Sequence, residues 1–343
     1  MRIFIYLYLC VASLSLTGCK KNDPDTTSFN NTQEFKLAKG ADISWLTEME
    51  HNGVLFYNNT GEREDVMAIL KNLGINTIRL RVWVNPVDGY NNLTDLIAKA
   101  QRAKSYGMRL LINFHYSDTW ADPGNQTKPL TWNSNNIEVL KDSLIQHTER
   151  VLNTLKQAGI TPEWVQIGNE TNNGMLWPAG KASINMANFA QLISSGYQST
   201  KKIFPSTKVI VHVSNGWDNN LFRWLFDGLK NNDAYWDIIG LSLYPTAQNW
   251  ATLNSQCLSN MKDMISRYHK EVMVVEVGMS WDQDAACYLF LNDLITKINS
   301  LPNQQGLGIV YWEPQAYNNW KGYTLGAFNN MGKPTQALQA FKE

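Results

Sequence analysis

Residues 66–83 read VMAILKNLGINTIRLRVW, and the change of period inside this stretch decides the fold. Val66, Ile69, Leu70 and Leu73 follow the i, i+3, i+4, i+7 spacing that buries one face of a helix. Gly74 falls where such a helix should stop, because glycine accepts the left-handed backbone that closes a last turn. From Ile75 to Trp83 the chain turns β-rich and apolar, as a buried strand does. A glycine-stopped helix running straight into an apolar strand is the repeating unit of an α/β fold.

The unit recurs on both sides. Candidate strands occupy residues 36–45, 75–83, 109–115, 164–168, 208–213, 238–243, 272–277 and 308–312. Further amphipathic stretches lie at 93–106, 137–158, 185–204, 221–229, 258–268, 285–298 and 335–341, with Gly107 and Gly159 at two more helix ends. Eight strands, each followed by a helix, predict a single-domain (β/α)8 TIM barrel over residues 35–343. An open doubly wound sheet is the competing arrangement. It would be expected to carry a Gly-rich phosphate turn after its first strand, and Gly40-Ala41-Asp42-Ile43-Ser44 is not one.

Ahead of the barrel, residues 1–18 read as a lipoprotein signal peptide. Arg2 gives the positive start, residues 3–16 the apolar run, and Leu16-Thr17-Gly18-Cys19 resembles a bacterial lipobox, with Cys19 as the lipid attachment point. The apolar run is short for a bilayer span. Residues 19–34 are polar, contain Pro24 and show no periodicity, so they read as a flexible tether. The expected location is that of an exported lipoprotein at the outer membrane, with Asp23 and Asp25 hinting at the cell surface.

Of 343 residues, 44% are hydrophobic, and 30 basic side chains balance 30 acidic ones. The length allows a sizeable core, and the balance gives no electrostatic footprint for nucleic acid. The membrane is expected to be touched only through the lipid, and a monomer is the default. Thirteen Trp and fourteen Tyr can serve a core, or they can stack on the apolar faces of sugars. Cys257 and Cys287 either join or stay as two buried thiols. Without CxxC or clustered Cys/His spacing, no structural zinc is expected.

In a TIM barrel the chemistry sits at the C-terminal ends of the strands. The candidate rim residues are Asp42 on strand one, and Arg79, Arg81 and Trp83 on strand two. His115, Asp118 and Trp120 follow strand three, and Asn169 and Glu170 follow strand four. His212, Asn215, Trp217 and Asp218 belong to strand five, Tyr244 to strand six, Glu276 to strand seven, and Trp312 and Glu313 to strand eight. Glu170 could simply open a helix, where the dipole favours an acid. Glu276 lies inside Val272-Met273-Val274-Val275-Glu276-Val277, where a carboxylate is costly unless something holds it. A structural ion pair with Arg79 or Arg81 would hold it equally well. Strands four and seven face each other across an eight-stranded mouth, and paired carboxylates across a cleft are what glycosidic cleavage requires.

Ile78-Arg79-Leu80-Arg81-Val82-Trp83-Val84-Asn85-Pro86 resembles the strand-two signature of glycoside hydrolase family 53, the endo-β-1,4-galactanases. So do KGADISWL (39–46), HYSDTWADPGNQTKP (115–129), IGNETNNGMLWPAG (167–180), VEVGMSW (275–281) and GLGIVYWEP (306–314), in the expected order along the chain. The resemblance implies a retaining clan A enzyme acting on β-1,4-galactan and galacto-oligosaccharides, with Glu170 as acid/base and Glu276 as nucleophile. It also implies that Tyr244 bonds the nucleophile and that Asn169 meets the sugar 2-hydroxyl. His115 and His212 would bind sugar hydroxyls or orient the acid. Of Arg79 and Arg81, Arg81 is the expected partner of Glu276, since it lies nearer the strand end. Trp312 and Trp83 are the preferred sugar platforms, ahead of Trp120 and Trp217. Asp42, Asp118, Asn215 and Asp218 complete the expected substrate-binding set. Sister clan enzymes on mannan, xylan or glucan, or a surface protein that only binds glycan, share parts of this pattern. Some bacterial relatives hold calcium in a long loop after strand seven. Here that loop is short, with Asp282 and Asp284 as its remaining acids, so neither a metal nor a cofactor is expected.

Overall fold

The computed structural model describes residues 36–342. The proposed signal peptide, Cys19 and the whole of the tether lie outside the described residues. Eight parallel strands close in sequence order into a barrel: β1 (Ala38–Asp42), β2 (Thr77–Val82), β3 (Arg109–Phe114), β4 (Trp164–Ile167), β5 (Lys208–Val213), β6 (Ile238–Leu243), β7 (Glu271–Val277) and β8 (Gly306–Trp312). The open doubly wound sheet is thereby excluded.

Seven of the eight expected helices form as α-helices: α2 (Val66–Asn72), α3 (Leu93–Ser105), α4 (Ile137–Gln157), α5 (Met186–Ile203), α6 (Asn219–Asn231), α7 (Trp250–Tyr268) and α8 (Asp284–Asn299). Asp65, Asn92, Asn136, Asn185 and Asp218 cap five of them, each side chain accepting a first-turn backbone N–H. Two findings depart from expectation. A short extra helix, α1 (Leu46–His51), follows β1, and the last segment, Gln336–Phe341, is a 3-10 helix packed against α8. Helix α7 starts at Trp250, eight residues before the expected start.

Two hydrophobic clusters hold the barrel. The larger fills the layer between strands and helices and includes Ile78, Leu80, Val82, Val272, Val274 and Val277. The smaller fills the barrel interior with Ala38, Leu111, Trp164, Ile210, Ile238, Met273, Val275, Leu307 and Val310. Polar side chains complete the interior: Asp42, Arg79, Arg81, Asn113, Gln166, His212 and Ser242 are all buried. Alternation along β2 explains two of them, since Arg79 and Arg81 share the face opposite Ile78, Leu80 and Val82.

Strand β7 breaks this rule where it matters. Val272 and Val274 belong to the outer layer and Met273 and Val275 to the interior, so strict alternation would send Glu276 outward. The pairing with β6 instead jumps from Leu241↔Val274 to Ser242↔Glu276. Val275 is an extra residue, a bulge, and it returns Glu276 to the interior face.

Cys257 and Cys287 are free and buried. Among the described residues, no helix is long and apolar enough to cross a membrane, and no group of three or more His, Cys, Asp or Glu could hold a metal.

Candidate active site

At the C-terminal mouth of the barrel, Glu170, Glu276, Ser242, Tyr244, Asn215, Trp217, Ser214 and Pro123 line one hollow of about 320 Å³. Glu276 enters it through the β7 bulge. Its Oε1 accepts the Tyr244 hydroxyl at 2.8 Å, and its Oε2 accepts Arg79 Nη1 at 2.8 Å. The same Arg79 nitrogen reaches Asp42 at 2.9 Å, while Nη2 reaches Asn169 Oδ1 at 2.9 Å and Gln166 Oε1 at 3.2 Å. One buried cation therefore serves two carboxylates and two amides. Such a network is strong only when complete, since removing one member of a buried ion pair costs about 3–5 kcal/mol.

Arg81 is not the partner of Glu276, contrary to expectation. It lies one inward position nearer the strand end than Arg79, which is too high for that carboxylate. There it binds Glu313 at 2.5 Å, with its guanidinium 4.4 Å from the Trp120 ring and also packed against Trp45 and Trp83. Glu313 is fully buried, takes the Trp45 N–H and Gln315 Nε2 as well, and is pushed up to about 7 by burial against the pull of Arg81.

Glu170 sits just past β4 with a left-handed backbone, φ 44°, which a non-glycine residue adopts only at a cost. Its Oε1 accepts the Ser242 hydroxyl at 2.7 Å. His212 Nε2 stands 2.7 Å from the same serine oxygen, and His212 Nδ1 accepts the Glu170 N–H at 3.3 Å. With Nδ1 accepting, the Nε2 hydrogen points to Ser242, which in turn donates to Glu170. Burial, then the charges on Arg79 and His115, keep His212 well below its ordinary value and therefore neutral.

The two acids are pushed apart in protonation. Burial and the nearby charge of Glu276 raise Glu170 to about 8, opposed by Ser242. Burial also raises Glu276, but Arg79 and the Tyr244 hydroxyl work against it directly. At neutral pH this arrangement keeps a proton on Glu170 and a charge on Glu276. Tyr244 stays protonated, since burial and then Glu276 raise it well above its ordinary value.

The other expected site residues divide into those at the hollow and those beneath it. Asn215 (φ 53°) and Trp217 (41% exposed) line it. Asn169 lies just below. Its Oδ1 is filled by Arg79, Asn113 and Gln166, and Nδ2 gives one hydrogen to Ala121 O, leaving the second. Four residues correct the expected substrate-binding set. Asp42 is fully buried and spent on Arg79 and Ser44. Asp118 accepts Asn85 N and Leu130 N, tying two rim loops together. Asp218 caps α6 through Leu221 N. Trp83 is buried, with its indole N–H given to His115 Nδ1 at 3.2 Å.

His115 is itself buried, with Nδ1 taking that indole and Ala121 N, so it braces a loop. Trp120 and Trp312 are half-buried in an aromatic group with Trp45, which lies 5.7 Å from Trp120 and 5.1 Å from Trp312. Ser242 and Gln166 were missed by the sequence reading. Ser242 stands two residues before Tyr244, and Gln166 interrupts an apolar strand as Glu276 does. Each carried a signal in its spacing.

Two carboxyl groups held in opposite protonation states across one hollow, at the mouth of a TIM barrel, are the working parts of a glycoside hydrolase. The chain belongs to glycosyl hydrolase family 53, whose family model matches residues 38–341. An arabinogalactan endo-β-1,4-galactanase of Humicola insolens is 37% identical over 324 residues, covering 88% of this chain and 97% of that protein. A solved fungal β-1,4-galactanase superposes with a TM-score of 0.82 at 33% identity, over 89% of this chain and 98% of its own. The family 53 catalytic domain of Ignisphaera aggregans gives 0.80 at 27% identity, over 89% of this chain and 95% of its own.

Proposed function

We infer that this protein is an endo-acting galactanase that hydrolyses β-1,4-galactosidic bonds in galactan or type I arabinogalactan by retaining double displacement. The observation that carries the reading is the unlike pair Glu170 and Glu276 in one hollow. Glu276, its oxygens oriented by Arg79 and Tyr244, attacks the anomeric carbon. Glu170 gives its proton to the departing glycosidic oxygen. Once ionised, Glu170 takes a proton from the water that releases the glycosyl group, and the pair returns to its starting state. Ser242 occupies Oε1 of Glu170, which leaves Oε2 for the transferred proton. The second Nδ2 hydrogen of Asn169 is available to a sugar 2-hydroxyl. Galactan is supported as substrate by the relatives named above, and retention by the clan resemblance.

The test is a panel of β-1,4-galactan, mannan, xylan and mixed-linkage glucan with product lengths read out. Galactan alone should fall to internal fragments, and a first product observed by proton NMR should be the β-anomer. Glu276→Gln should abolish turnover while oligosaccharide binding persists. Inactivity on every polymer, or an α-anomer first, would overturn the reading. Anchoring through Cys19 belongs to the same proposal, supported by its lipobox-like setting. Cys19→Ala should release the protein from the membrane fraction, and continued membrane association would refute the anchor.

A further inference from the structure

Trp217 belongs to two hollows at once. On one side it lines the catalytic hollow with Glu170 and Glu276. On the other it heads a groove of about 440 Å³ between α6 and α7, walled by Asn219, Arg223, Gln256, Ser259 and Asp263. The indole is 41% exposed, although large aromatic side chains are usually covered. We propose that this groove is an outer subsite for the same polysaccharide, taking the part of the galactan chain that passes over Trp217 out of the catalytic hollow. The inference rests on the galactanase reading and extends it to the outer wall.

The chemistry of the groove suits sugar. An exposed indole offers a flat apolar face, and the groove beyond it presents fixed polar edges. Asp263 binds Arg223 through two bonds, Nε to Oδ2 at 2.8 Å and Nη2 to Oδ1 at 2.5 Å. Asn219 Nδ2 meets both Asn260 Oδ1 at 2.9 Å and Asp263 Oδ2 at 2.8 Å. These side chains are ordered before any ligand arrives, so binding costs little side-chain entropy. Gln256 and Ser259 stand exposed on α7 beside them. Adjacent cation and anion make the groove a poor match for a charged ligand and a good one for neutral hydroxyls. Strand β5, which leads into Trp217, is the neighbour of β4, the strand that presents Glu170. Strand β6, which leads toward α7, is in turn the neighbour of β7, which presents Glu276, so the groove opens beside both acids.

The experiment compares kcat/KM on long galactan with kcat/KM on a short aryl galactoside whose leaving group ends inside the catalytic hollow. Ser259→Trp fills the groove, and Gln256→Ala trims it without removing a bond that holds the fold. The polymer-to-aryl ratio should fall by about ten-fold in Ser259→Trp, the worth of one good hydrogen-bonded contact, and by less in Gln256→Ala. A ratio equal to wild type in both variants, with melting temperatures unchanged, would overturn the groove as a subsite. Wild-type protein inactive on galactan but active on the aryl substrate would instead overturn the galactan reading, and this inference with it.

Discussion

At the residue scale, Glu170 is a side chain the fold pays to keep. Its backbone is left-handed, and its carboxyl is raised from 4.5 to about 8 by burial and the charge of Glu276. A group whose folded value is raised binds more protons when folded. Its contribution to stability is complete below pH 4.5 and is lost as pH rises toward about 8. Glu170→Gln should therefore flatten the decline in urea-measured stability across that window while removing activity on galactan. An unchanged slope would show that Glu170 titrates normally. The same ionisation should set the alkaline limb of the activity profile. The sequence displayed Glu170 and Glu276 as a pair: each alone has a structural explanation, and their opposition across the barrel mouth, together with the motifs around them, singles them out. It did not display the choice of Arg79 over Arg81. Both side chains point inward, and only height along the barrel separates them.

At the element scale, α4 carries a histidine with no visible task. His147 is buried against Phe114, Tyr116 and Trp132, and neither ring nitrogen has a partner. Burial, and then Arg150, lower it to about 3. The sign here is opposite to that of Glu170. The stability held by a neutral ring is present above pH 6.5 and lost as pH falls from there toward about 3. His147→Phe should keep the barrel folded to lower pH, read as a lower acid-unfolding midpoint by circular dichroism. An unmoved midpoint would mean that His147 does not drive acid unfolding.

Elements were legible where period and a stopping glycine agreed, as in α2, α3 and α4. The start of α7 was not, because 250–257 mixes Trp250 and Leu253 with exposed Ser255 and Gln256 and gives no clean apolar stripe. Helix α1 begins at Leu46, directly after a run that reads as strand to Trp45 although β1 ends at Asp42, and Asp42, Asp118 and Asp218 look like site acids until their hydrogen-bond partners are seen.

At the scale of the whole molecule, the barrel depends on a seam between β1 and β8. Gly308 lies there with φ 154°, and a Cβ would stand 2.2 Å from Ala38 O. Gly308→Ala must push the first and last strands apart, a cost of about 1–3 kcal/mol for overpacking alone. Equilibrium unfolding in urea should show that loss, and wild-type stability in the variant would mean the seam has slack. The eight-fold alternation of strand and helix made closure foreseeable. The groove between α6 and α7 was not, since its walls are ordinary helix-surface residues and only packing brings Trp217 to their edge.

The extra residue in β7 has a consequence for how this strand can change. Substitutions in a strand alter one side chain and leave the others where they were, whereas a change of pairing register shifts the phase of everything beyond it. Val275 is the residue that puts the strand out of phase with its own pattern. Pairing all seven residues without the bulge would leave a smoother, more regular ladder in which the glutamate takes the next outward place and is aimed at the helices. Regularity and activity are therefore opposed in this strand. A design procedure that rewards perfect alternation would tidy away the irregularity on which the chemistry depends.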